Sequence, residues 1–147
     1  LQKIVIKMKK KDIYSEAMRY IENAKEILST KAGKDGDYYS DKKYVRLACH
    51  AAYLGVLIAL DGLWEYKGIV KPKNRSLTRD TVRVNFYREN LGKINNKMLN
   101  LFNETVYPFL HEYGGYDGNL DVRISQTGIK AATEIIEWVR KQIISVE

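Results

Sequence analysis

His111 is the side chain in this sequence best suited to acid–base chemistry, because unperturbed imidazole titrates near neutral pH. It lies in the run Tyr107-Pro108-Phe109-Leu110-His111-Glu112-Tyr113-Gly114-Gly115-Tyr116-Asp117-Gly118. Those twelve residues hold one of two histidines, one of two prolines, three tyrosines and three glycines. With Tyr113, Tyr116 and Asp117 beside it, His111 could serve as a general acid or base. The same residues also suit a structural role. A protonated histidine is favoured at a helix C-terminus, glycines turn the chain tightly, and Asp117 could cap the next helix. Tyrosines at a surface turn suit a partner interface as well.

Arg46 and His50 form a second pair. Four residues apart, they share one face of a helix and could hold an anion, or stand as separate polar groups at the edge of a core. With the tyrosines they could line a nucleotide or small-molecule pocket between the second and fourth helices. A third group is the basic run Lys71, Lys73, Arg75 and Arg79, joined by Arg83. Such a cluster can neutralise phosphates. No aromatic residue interleaves it, so base stacking is not indicated, and a solvated loop accounts for it equally.

The familiar enzyme templates are absent: there is no CxxC, HExxH, GxSxG or P-loop. Two histidines and one cysteine leave little for a metal site. No metal, cofactor or catalytic residue is therefore assigned. The lone Cys49 excludes an intrachain disulfide and favours a reducing compartment.

The net charge of +7 over 147 residues invites a nucleic-acid reading, but its distribution weakens it. Lys3, Lys7, Lys9, Lys10 and Lys11 make residues 1–11 a basic arm with no acid. The body, residues 12–147, is then nearly neutral and is expected to be one domain. The arm is read as an edge strand, a helix extension or a disordered segment. Met8-Lys9-Lys10-Lys11 resembles a natural start, which would make residues 1–7 non-native. The N-terminus lacks the pattern of a signal peptide. The longest uncharged run, Leu47 to Leu60, is shorter than the roughly 20 residues of a membrane span. A cytoplasmic protein without a membrane partner is expected.

These residues must be carried by helices. Ile13, Ala17, Tyr20, Ile21, Ala24 and Leu28 recur at helical spacing and predict a first helix from Asp12, as N-cap, to Lys31. Gly33-Lys34-Asp35-Gly36-Asp37 predicts a flexible loop. A second helix should start near Ser40 or Asp41 and end at Gly68. It is apolar nearly all round from Leu47 to Leu60, which marks a central helix. A third helix is expected over 79–93, with Gly92 and Asn95-Asn96 marking a break or a kink. Leu99, Phe102, Val106, Phe109 and Tyr113 keep three-four spacing across Pro108, predicting a helix kinked there and ended by Gly114-Gly115. Ile129, Ala132, Ile136, Val139 and Ile143 form the inner stripe of a last helix starting near Asn119 or Asp121. The fold class is all-α: an antiparallel up-down bundle of four main helices in five segments.

Two stretches carry a resemblance. Tyr44-Val45-Arg46-Leu47-Ala48-Cys49-His50-Ala51-Ala52-Tyr53 resembles the second-helix pattern of the HEPN superfamily. Leu110-His111-Glu112-Tyr113-Gly114-Gly115-Tyr116-Asp117 resembles its motif at the end of the third main helix. More closely, Phe86-Tyr87-Arg88-Glu89-Asn90-Leu91, Leu110-His111 and Gly114-Gly115-Tyr116-Asp117-Gly118 look like a small bacterial family of all-helical proteins of unknown function, over residues 10–145. In nuclease members of the superfamily an arginine precedes the histidine by a few residues, and a dimer completes an RNA-cleaving site. His111 matches that histidine, but residues 104–110 contain no arginine. Arg46 and His50 are too close together and on another helix. The resemblance thus implies a HEPN-like bundle and a homodimer that binds a protein partner, with nucleic acid a weaker candidate. An RNase or toxin-like effector using His111 is the rival.

Overall fold

The computed structural model describes residues 2–72 and 79–144. The chain folds as helices α1 (Gln2–Thr30), α2 (Lys42–Lys67), α3 (Arg79–Ile94), α4 (Asn96–Leu101) and α5 (Val122–Ile144), with a π-helical segment, Phe102–Tyr116, running on from α4. A small antiparallel hairpin, β1 (Lys34–Asp35) and β2 (Tyr38–Tyr39), sits between α1 and α2. The all-α expectation is met.

α2 is the hub. It packs against α1, α5 and the π-helical segment, and Val45, Ala48, Ala52, Val56, Leu60 and Leu63 are fully buried along it. Each large apolar side chain so buried contributes roughly 1.5–3 kcal/mol. By length and composition α2 could cross a membrane, yet most of its apolar window is buried inside the bundle. An apolar helix surrounded by neighbours on several sides needs that composition for the core alone. Its ends follow the predicted signals. The Asp41 carboxylate accepts from the Lys43 amide at 3.0 Å, and Gly68 closes the helix at φ 74°, with the Ile69 amide reaching back to the Trp64 carbonyl at 2.8 Å.

Several boundaries differ from expectation. α1 begins at Gln2, so Asp12 lies inside the helix and is not its N-cap. Nothing between residues 2 and 12 breaks a helix; there is no glycine or proline. The loop after α1 is partly ordered as the hairpin, which is tied to the start of α5: the Tyr39 amide bonds the Leu120 carbonyl at 2.8 Å and the Val122 amide the Asp37 carbonyl at 3.0 Å. The break before α4 agrees with the expected Asn95-Asn96: it falls at Asn95, whose side chain accepts from the Met98 amide at 3.1 Å.

The largest departure is around Pro108. The sequence predicts an α-helical stripe of Phe102, Val106, Phe109 and Tyr113. The buried residues are instead Phe102, Val106, Leu110 and Gly114, a strict spacing of four. Tyr113 is turned outward. Backbone bonding of the i→i−5 kind widens each turn, so the inward face recurs later than in an α-helix. In that register the amide missing at Pro108 costs the carbonyl of Asn103 its partner, not that of Glu104. Gly114-Gly115 do not end the helix. It runs to Tyr116 with Asp117 as its C-cap, and Gly118 follows at φ 64°; there the Asp117 amide bonds the Glu112 carbonyl at 2.9 Å and the Asn119 amide bonds the Tyr113 carbonyl at 2.8 Å.

Candidate functional site

The π-helical segment lands on the first half of α2, and this brings together two of the groups that the sequence singles out. Arg46 Nε donates to the Tyr116 carbonyl at 3.1 Å. Gly118 packs on the same helix: a Cβ there would meet Lys42 and lie 3.0 Å from Arg46 Cγ. Gly114 faces Cys49, and a Cβ at Gly114 would lie 2.8 Å from Cys49 Cβ and from the Phe109 carbonyl oxygen. A Cβ at Gly115 would stand 3.8 Å from the His50 backbone nitrogen. The glycines thus let the backbone of the segment press on the α2 side chains and on the carbonyls of its own preceding turn, and Gly118 also needs its left-handed conformation.

Cys49 is fully buried at this crossing. Burial disfavours the thiolate and pushes the thiol up to about 12. It is a packing residue, not a nucleophile.

Outside the crossing, Arg46 and His50 are exposed, as are Leu47, Tyr113, Tyr116 and Asp117. Tyr116 is 78% exposed and Leu47 49%. Arg46 spends one nitrogen on the turn. Asp117 is not the cap of α5; Asp121 is, accepting from the Arg123 amide at 2.9 Å. The Arg123 guanidinium also grips Asp121 at 2.8 Å, and hydrogen bonding to Arg123 holds the Asp121 carboxyl below its usual range. Asp117 sits two residues before the cap that Asn119 makes for the Asp121 amide at 2.9 Å, too early to reach the first turn of α5.

His111 belongs to a different assembly. Its ring stacks on Tyr107 with centroids 4.8 Å apart and planes 11° from parallel. It meets Tyr53 of α2 edge-on at 5.0 Å. The guanidinium of Arg88, from α3, lies over the Tyr107 ring at 4.9 Å, anchored by its Nε bond to Asn103 Oδ1 at 2.7 Å. His111 Nδ1 is buried and has no hydrogen-bond partner among the described residues. The sequence hides this ladder, because Arg88, Tyr107, His111 and Tyr53 come from three elements. Its one readable sign is the spacing of four between Tyr107 and His111 in the widened helix.

Of the basic run, only the side chain of Lys71 falls among the described residues. Lys71 pairs with Asp61 at 3.0 Å, and Asp61 also accepts from the Tyr87 hydroxyl. Lys73, Arg75 and the side chains of Arg79 and Arg83 lie outside the described residues. Among the described residues no three His, Cys, Asp or Glu side chains gather as metal ligands. Two grooves that the described residues form lie away from Arg46 and His50, one between α1 and α5 and one along α1.

Fold and site together define a small all-α bundle domain whose central helix is gripped by a π-helical segment. The chain belongs to the family described as Domain of unknown function (DUF5618), whose model matches residues 12–141. It is also similar to a solved structure described as a protein of unknown function from Dyadobacter fermentans. The two are 39% identical, with 91% of this chain and 98% of that chain covered and a TM-score of 0.75. The comparison with curated proteins gives no match. The expected membership of an all-helical family of unknown function is therefore met, while neither match extends to the HEPN superfamily.

Proposed function

We propose that this domain is a non-catalytic interaction module that works as a homodimer. One observation carries this reading. On the face of α2 turned away from its buried side, Leu47, Ala51, Leu54 and Ile58 follow one another at steps of four, three and four. Leu47 is exposed, and the other three are half-buried. That is the seam spacing by which two helices pack side by side. The stripe runs from a basic start at Lys43 and Arg46 to Glu65 and to Asp61, whose carboxylate is also paired with Lys71 and accepts from Tyr87 within the chain. An antiparallel second copy, centred near Leu54, sets each basic start against the partner's acidic end. Such a self-complementary patch fits a two-fold interface. Tyr116 and His50 flank its start and extend the contact.

The rival ribonuclease reading needs His111 to present a nitrogen to a scissile phosphate beside a cation. The stacking of His111 between Tyr107 and Tyr53, with Nδ1 buried, supports a structural role instead. Sedimentation tests the proposal: a dimer is expected at micromolar concentration, and a strictly monomeric protein would overturn it. RNA cleavage that disappears with His111→Ala would overturn the non-catalytic half.

A further inference from the structure

The open groove between α1 and α5 has a volume of about 890 Å³, within the roughly 300–1,000 Å³ of small-molecule sites. Its floor is apolar: Leu28, Tyr39 and Ile129 are each 6% exposed. Its rim carries Lys25 from α1, Lys34 from the hairpin and Lys130 from α5. Three cations from three elements converge on one apolar trough.

The carboxylates of the groove do not offset them evenly. α1 and α5 run antiparallel, so Tyr14 meets Glu137 far from the hairpin. There Glu137 is occupied on both oxygens: Tyr14 donates to Oε1 at 2.5 Å and Arg140 lies 3.5 Å from Oε2. Arg140 in turn covers the Tyr14 ring at 4.7 Å. Lys25 reaches Glu22 at 3.7 Å with half its side chain exposed, a weak pair. Lys34 and Lys130 have no ion pair among the described residues. Glu134, four residues beyond Lys130, is the remaining acid of the groove. The trough is therefore closed by a satisfied cluster at one end and is cationic at the hairpin end.

We infer that this groove binds a small amphipathic carboxylate, its chain on Leu28, Tyr39 and Ile129 and its anionic head between Lys34 and Lys130. An alkyl chain gains roughly 0.8 kcal/mol per buried methylene, and the lysines add the preference for a negative head. The site is separate from the α2 seam and does not depend on the dimer.

Decanoate, below its micellar concentration, is the probe, with decanol and decyltrimethylammonium as comparators. Amide shifts in NMR spectra should move at Leu28, Tyr39, Ile129 and Thr133 with decanoate. Decanol should bind at least tenfold more weakly, and the ammonium compound should not bind. In Lys34→Glu/Lys130→Glu, two exposed changes, decanoate affinity should fall at least tenfold while decanol is unaffected. Equal binding of decanoate and decanol, unchanged affinity in the double variant, or shifts confined to other regions would each overturn the assignment.

Discussion

Gly114 and Cys49 meet where the π-helical segment crosses α2, backbone against side chain, with no room for a methyl group between them. A Cβ on Gly114 would lie 2.8 Å from Cys49 Cβ and closer still to Sγ, and the Phe109 carbonyl bounds it on the other side at 2.8 Å. Neither neighbour is the loose end of a flexible chain. Gly114→Ala is therefore expected to destabilise the fold by about 1–3 kcal/mol, the usual cost of overpacking. Urea denaturation gives the value. Adding Cys49→Ala should return part of the loss, because it removes Sγ but leaves the Cβ in place. Strictly additive effects would show that the two residues do not press on each other.

That crossing also marks the limit of what the sequence discloses. The bundle, the central place of α2, its Asp41 and Gly68 ends and the inner stripe of α5 were all legible, because α-helical spacing and capping chemistry are local signals. The π-helical register was not. Phe109 and Tyr113 fit a three-four pattern as well as Leu110 and Gly114 fit a pattern of four, and only packing against Cys49 and Gly128 decides between them. Arg46 and the Tyr116 turn were each visible, but their contact spans 70 residues. Of the Arg88–Tyr107–His111–Tyr53 ladder only the spacing of Tyr107 and His111 was legible, because Arg88 and Tyr53 reach it from other helices. Asp117 looked like a cap because it follows the glycines, whereas the two-residue offset to Asn119 and Asp121 is set by the hairpin that pins Leu120 and Val122.

Cys49 offers a pH test with a definite sign. Its thiol ordinarily titrates near 9.0 and burial pushes it up to about 12 in the folded chain. Below pH 9 neither state is ionised there. Between pH 9 and about 12 the unfolded chain releases a proton that the native chain keeps, so stability falls as pH rises, by up to about 1.4 kcal/mol per unit. The stability difference between the wild type and Cys49→Ala should accordingly shrink in the alanine variant's favour from pH 9 to 11. A constant difference would refute the burial effect. In the native protein at pH 8, iodoacetamide should label Cys49 only as fast as the chain unfolds.

His111 can be divided between structure and chemistry by one substitution. His111→Phe keeps the ring between Tyr107 and Tyr53 and removes a buried nitrogen that has no partner among the described residues. Replacing an unsatisfied polar atom with an apolar isostere is neutral or stabilising, so the midpoint of denaturation should hold or rise, by up to about 1 kcal/mol. His111→Ala should lose about 1–3 kcal/mol through the lost packing. A nuclease would lose activity in both variants regardless of stability. Equal destabilisation by Phe and Ala would mean that the imidazole makes a polar contact essential to the fold.

Leu54 stands at the centre of the proposed two-fold seam, so a charge there meets its own copy across the axis. Leu54→Glu places two carboxylates together in an apolar contact, which costs several kcal/mol through desolvation and repulsion. The residue is only half-buried in the single chain, so the monomer should still fold. Sedimentation equilibrium should show the dimer of the wild type replaced by a monomer, with the helical circular dichroism retained and the dissociation constant raised at least a hundredfold. Leu47→Glu, further from the axis and beside Arg46 and Lys43, should weaken association less. Reversing the charged ends offers a second, independent reading. Lys43→Glu should loosen the dimer and make it tighter in high salt, since it sets like charges against the partner's acidic end. A Lys43→Glu dimer of unchanged strength would rule out the antiparallel arrangement even if a dimer exists. A Leu54→Glu dimer of unchanged strength would place the interface elsewhere than on α2.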